Sequence, residues 1–254
     1  SGAIYSYSGA ITLSGNGRVT FSGNYAESSY SASGGAIYSD RGSITLSGNE
    51  SVLFEKNYEK SGSSYRLRSI YLSRGSNSHF TLSAPEGGII EFRDGIYVDG
   101  GVVSYNAPLI EADGAEHLQT GDILFTGAYT EAHLKEIKGG TAGTEAEISI
   151  SRLSQVLATT NLYGGRLRVE DGAYYRGYGL IAAENSHATV LVKNATMDHD
   201  GYDMVFHSGS SLVLEGSTTL RGNLIMNSGS ALSFGDKSDN VLEGNLTLGT
   251  GVSL

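Results

Sequence analysis

Cysteine is absent from this 254-residue chain, which excludes disulfides, thiolate metal sites and a cysteine nucleophile. Proline occurs twice and tryptophan not at all, so the chain lacks the proline-rich composition of a disordered linker. Lysine and arginine total 17 against 27 acidic residues, a net charge of −10. Proteins displace counterions from phosphate backbones with a basic surplus, so nucleic acid is not an expected partner. No apolar run approaches the roughly 18 residues that read as a spanning helix. No signal-peptide pattern stands at the start, and Ser1 falls inside a repeat, so the chain reads as a piece of a longer protein. The G-x-S-x-G, H-E-x-x-H, R-G-D and G-G-x-G-x-D patterns are missing, as is phosphate-loop spacing in YGGRLRVEDG.

What the chain does have is a period. Ala3-Ile4-Tyr5-Ser6 recurs as Ala36-Ile37-Tyr38-Ser39, an offset of 33. The same offset joins Ile11, Leu13, Asn16, Val19, Phe21, Asn24 and Tyr25 to Ile44, Leu46, Asn49, Val52, Phe54, Asn57 and Tyr58. Each copy holds three short runs of alternating apolar and polar residues, the mark of strands with one buried face. Ser-Gly-Asn stretches separate the runs, and glycine and asparagine tolerate the positive φ that tight bends need. A third copy runs through Ser69-Ile70-Tyr71-Leu72, Phe80-Thr81-Leu82 and Ile90-Glu91-Phe92 at altered spacing. Downstream, Met204-Val205-Phe206 and Leu212-Val213-Leu214 match Leu224-Ile225-Met226 and Leu232-Ser233-Phe234 at an offset of 20.

A strict period decides architecture before any single element does. The expectation is an all-β chain, a right-handed parallel β-helix in which each coil stacks on the last at about 4.8 Å. At about 20 to 33 residues per coil, the rod would be about 50 Å long. A β-sandwich would alternate too, but has no reason to repeat itself at a fixed offset. Residues 1–254 then form one solenoid, with repeats over 1–104, an irregular excursion over 105–160 and shorter-period coils over 161–254. Within the excursion, Thr130, Leu134, Ile137 and Gly139-Gly140 predict a short helix, and Ile150, Leu153 and Leu157 a second. Asp122 to Phe125 is expected as a strand.

Gly34-Gly35-Ala36-Ile37, with Phe21-Ser22-Gly23-Asn24 and Phe54-Glu55-Lys56-Asn57, resembles the GGA-[ILV] and F-x-x-N tetrapeptides of the polymorphic outer-membrane proteins of chlamydiae. Gly2-Ala3-Ile4 departs from the first motif by one residue, a serine at its head. RSIYL, HFTLSAPEGG, IEFRDGIY and LYGGRLRVEDGA also look like the region after the repeats in that family. The clear match covers about residues 1–105. The resemblance implies an autotransporter passenger carried to the bacterial surface by a C-terminal β-barrel outside this chain. It also implies attachment to a host-cell protein or glycan. Gly34, Gly35, Ala36, Ile37, Phe21, Asn24, Phe54 and Asn57 carry over as structural or adhesive residues. Physically, the glycines allow close packing, Phe plugs the core and Asn bonds at corners.

Three groups of polar residues remain to be assigned. Tyr174, Tyr175, Arg176 and Tyr178 lie among glycines, and Arg66, Arg68 and Arg74 form a local basic patch. Tyr and Arg are enriched at binding hot spots, so both groups are candidate partner-binding residues, with a solvated loop as the alternative. Asp198, His199, Asp200, Asp203 and His207 form the densest polar cluster. Asp198, Asp200 and Asp203 fit a polar loop, a weak Ca²⁺ site without the EF-hand glutamate, or a carboxylate pair for glycoside chemistry. No cofactor or metal is expected. The favoured function is a surface adhesin. A carbohydrate-active β-helix enzyme (a lyase or hydrolase) and a passive spacer are the alternatives. Exposed end strands favour edge pairing, so self-association is a further expectation.

Overall fold

The computed structural model describes residues 2–29, 31–73, 79–99, 102–106, 109–110, 116–117, 119–126, 131–139, 147–151, 155–236 and 238–254. The chain is all-β, with no helix among the described residues.

Among the described residues one sheet contains nine strands in sequence order, from Arg18–Ser22 to Ala231–Phe234, each parallel to the one before it. Its register pairs like residues with like. Val19, Val52, Ile90, Ile123, Ile148, Leu167, Val190, Leu212 and Leu232 occupy one row across the sheet. Two residues further along each strand, on the same face, lie Phe21, Phe54, Phe92, Phe125, Ile150, Val169, Val192, Leu214 and Phe234. The first four phenyl rings stack at centroid distances of 4.8, 4.9 and 5.0 Å, the ordinary spacing of neighbouring strands.

Among the described residues the larger sheet has 17 strands, and apolar residues pair in register across it as well. Ile4 pairs with Ile37, Ile37 with Ile70 and Ile70 with Ile96. Ile11, Ile44, Phe80 and Val103 form a second row, continued by Ile137, Thr160, Leu180, Met204, Leu224 and Leu246. The 33- and 20-residue offsets of the sequence are therefore strand registers. Pairing runs from one copy to the next, and the inward side chains of both sheets share one buried apolar cluster.

The F-x-x-N spacing has a mechanical reading. Phe54 is the last inward residue of its strand, Ser51–Glu55, and Asn57 lies three residues on, at the bend. The Asn57 side-chain amide donates to the Phe21 carbonyl at 2.9 Å and to Asp94 Oδ2 at 2.8 Å. Its own Oδ1 accepts from the backbone and side-chain amides of Asn24 at 3.1 and 2.9 Å. Asn16 and Asn49 repeat the arrangement at a second bend. These side chains satisfy backbone groups that the bends remove from the ladder.

The helical expectation for the middle of the chain is corrected. Glu131–Gly139 is a strand, as are Glu147–Ser151 and Gln155–Leu162, while Thr130, Gly140 and Leu153 lie outside the described residues. Glu131–Gly139 pairs in parallel with Gly95–Asp99 and Val102–Tyr105 on one side and with Gln155–Leu162 on the other. Ladder partners on both sides outweigh helix propensity, which tertiary context routinely overrides. Asp122–Phe125 is a strand, as expected.

Candidate functional site

One antiparallel pairing interrupts the larger sheet. Tyr58–Ser61 turns back on Ser64–Ser73, setting Glu59 opposite Arg66. The Gly34-Gly35-Ala36 segment lies against the base of this hairpin, with the amides of Gly35 and Ala36 donating to the carbonyls of Arg68 and Ser69 at 3.0 and 2.9 Å. Both glycines are required there. Gly34 adopts φ +68°, and a Cβ on Gly35 would stand 2.5 Å from the Tyr58 nitrogen and 2.7 Å from the Arg68 carbonyl oxygen. The G-G-A-I motif therefore marks where one segment of backbone passes close to the next.

Beneath the segment sits a buried ion pair. Arg68 Nη1 donates to Glu59 Oε2 at 2.9 Å, and Glu59 Oε1 accepts from the Gly34 amide at 2.6 Å. Both side chains are almost wholly buried. Burial raises the Glu59 carboxyl above the usual range, opposed by the charge of Arg68 and by the Gly34 hydrogen bond. The Arg68 guanidinium lies 5.1 Å from the ring centre of Tyr97 and 5.9 Å from that of Tyr71.

Those rings belong to a tyrosine column. Tyr5, Tyr38, Tyr71 and Tyr97 follow the inward isoleucines on the outer face, with ring centres 5.3, 5.5 and 4.6 Å apart. Burial raises the phenol pKa of Tyr38 and Tyr71, so both stay neutral and keep their protons to donate. Ser73 Oγ donates to Asp40 beside the column.

The hairpin, the Ser31–Ser33 segment and the column enclose two adjoining recesses of about 440 Å³ each. Both are lined by Ser31, Ser33 and Tyr71. The first adds Glu59, Arg66, Arg68 and two further serines; the second adds Tyr38, Tyr97, Asp40, Arg41 and Ser73. The groove is rich in hydroxyls and guanidinium groups, suited to hydrogen-bonding a polar ligand rather than to burying an apolar one.

The other sequence candidates fall elsewhere. Arg66 is exposed on the groove wall, Arg68 is corrected from surface patch to buried pair, and Arg74 lies outside the described residues. Tyr175 is corrected as well. Strand alternation turns it inward, fully buried, with its hydroxyl hydrogen-bonded to Thr160. Tyr174 is half-buried and donates to Asp198, whereas Arg176 is exposed and Tyr178 is 46% exposed against the ring edge of Tyr202. The acidic cluster is a strand, Thr196–Phe206, rather than a loop. Asp198 accepts from Tyr174 and lies 3.6 Å from Arg221, and Asp203 accepts from Asn223. The Asp200 side chain lies outside the described residues, and no metal-ligating group of three occurs among the described ones. Sequence reasoning missed Tyr38, Tyr71, Arg41 and Glu59 as groove residues. The signal for the tyrosines was the repeated Ile-Tyr dipeptide, whose second residue must face outward.

His199 is fully buried beside Gly177, where a Cβ would stand 2.0 Å from the imidazole Cε1. Its Nδ1 accepts from the Gly179 amide at 3.3 Å, and its Nε2 has no hydrogen-bond partner among the described residues. Burial lowers its pKa from 6.5 to about 4, with neighbouring Asp198 opposing; the Tyr175 ring lies 5.9 Å away. The unfolded chain takes up this proton near pH 6.5 and the folded chain only near 4. Stability is therefore lost as pH falls across that window, by about 3 kcal/mol from this group. Asp94 and Glu59, raised by burial, titrate in the opposite sense. Urea denaturation of wild type and His199→Asn between pH 7 and pH 4 isolates the histidine. The variant should lose less stability on acidification; equal slopes would contradict the assignment.

No protein-family model, curated protein or solved structure matches the chain.

Proposed function

We propose that the chain is a right-handed parallel β-helix, the passenger region of a bacterial surface autotransporter, and that it acts as an adhesin for a host-cell protein or glycan. Strands paired in parallel and in sequence order, with like residues in register, support the winding. The Gly34–Ile37 and Phe54–Asn57 tetrapeptides support the family likeness. The observation that carries the binding reading is the lateral groove, where hydroxyls and guanidinium groups converge on the outer face of consecutive repeats.

Affinity on such a surface comes from several modest contacts held at fixed spacing, so that each engaged repeat raises the effective concentration of the next. The test is binding of this chain to host cells at physiological salt, beside an unrelated all-β protein of the same net charge. Saturable binding by this chain alone is expected. Equal binding by both, or by neither, would remove the adhesin reading and leave the spacer.

A further inference from the structure

We propose that the groove holds an anionic sugar residue of a glycan chain, its carboxylate or sulfate paired with Arg66 or Arg41 and its hydroxyls bonded to the serine and tyrosine hydroxyls. The inference rests on the reading of this face as a binding surface and names what it binds.

Charge is the first argument. The chain carries ten more acidic than basic residues, and its arginines commonly face carboxylates: Arg68 faces Glu59, Arg93 faces Glu55 and Glu91, Arg168 faces Glu170, and Arg221 faces Glu243. Arg66 and Arg41 are both exposed, and neither has an ion-pair partner among the described residues. One lines each recess. The Glu59–Arg68 pair cancels itself, so the first recess keeps the charge of Arg66, whereas Asp40 shares the second recess with Arg41; the anion is therefore placed first at Arg66.

Chemistry and shape are the second. A peptide anchor needs an apolar pocket that excludes water, and these recesses offer hydroxyls instead. The tyrosine faces are spent on one another at 4.6 to 5.5 Å, so Tyr38 and Tyr71 present ring edges and phenol groups to a ligand. Hydroxyl donors beside a guanidinium match a polyhydroxylated ring bearing one anion. Because the recesses share Ser31, Ser33 and Tyr71, neighbouring sugars of one chain can occupy both.

The experiment is calorimetric titration of the whole chain with three tetrasaccharides: a heparin fragment bearing sulfate and carboxylate, a hyaluronan fragment bearing carboxylate alone, and a neutral chitin fragment. Wild type is compared with Arg41→Gln/Arg66→Gln, whose substitutions are exposed; unchanged thermal unfolding verifies its fold. At least one anionic fragment should bind, and the chitin fragment and the double variant should each bind about tenfold or more weakly, the loss of one charge-assisted contact. Binding of hyaluronan assigns carboxylate; binding of heparin alone assigns sulfate. Equal affinity for chitin, unchanged affinity in the variant, or no binding of any fragment overturns the inference. Cell binding that persists without oligosaccharide binding sinks this inference alone. Oligosaccharide binding without cell binding sinks only the adhesin reading.

Discussion

Phe54→Ala is expected to lower the unfolding free energy by about 3 to 5 kcal/mol, the loss typical of a fully buried phenylalanine. Phe54 has no exposed surface, and its ring is covered on both faces, by Phe21 at 4.8 Å and by Phe92 at 4.9 Å. Truncation removes the transfer energy of the ring, opens a hole between two stacked neighbours and takes a contact from each. Phe21 heads the same row and is only partly buried, so Phe21→Ala should lose clearly less. The pair of variants, compared by urea midpoint at constant slope, separates position in the row from residue type. A Phe54→Ala loss no larger than that of Phe21→Ala would mean that the row is not a continuous core.

Glu59→Ala is expected to cost about 3 to 5 kcal/mol, because removing one partner of a buried pair strands the other charge. Arg68 would keep its place beneath the Gly34–Ala36 segment without its carboxylate, and the Gly34 amide would lose its 2.6 Å acceptor. The double replacement Glu59→Gln/Arg68→Met should recover most of the loss, since it leaves no unpaired charge. Chemical denaturation of Glu59→Gln, Arg68→Met and their combination forms a cycle whose coupling reads the pair directly. A single-variant loss below about 1 kcal/mol would place the pair with exposed ones. The groove should fail along with the pair. Arg68 braces Tyr71 and Tyr97, so oligosaccharide affinity should fall in Glu59→Ala and stay low in the double variant, which recovers stability but lacks the guanidinium.

Register was the most legible property of this chain. Ile4 and Ile37, or Leu212 and Leu232, stand in matching strings, and matched strings pair because identical alternation buries identical faces. The middle of the chain was less legible. Leu134 and Ile137 are spaced as on a helix face, and nothing local reveals that strands wait on both sides to take up the backbone groups. Tyr175 reads as exposed because glycines surround it. Its row partners Met197 and Leu220, which would have turned it inward, come 22 and 45 residues later. Arg68 was hidden by a hairpin: its partner lies nine residues back on an antiparallel strand, where the period does not predict the neighbour. The groove inherits that difficulty, since it arises where the repeat is interrupted.

The tyrosine column has an optical consequence. With no tryptophan in the chain, the phenols are the main near-ultraviolet emitters. The four of the column each stand within 5.5 Å of a neighbour. Excitation absorbed by one ring migrates to the next before it is emitted. The emitted light therefore loses its polarisation even when the molecule does not tumble. A ligand that disturbs Tyr38 or Tyr71 would interrupt that migration and announce its own arrival without any added label.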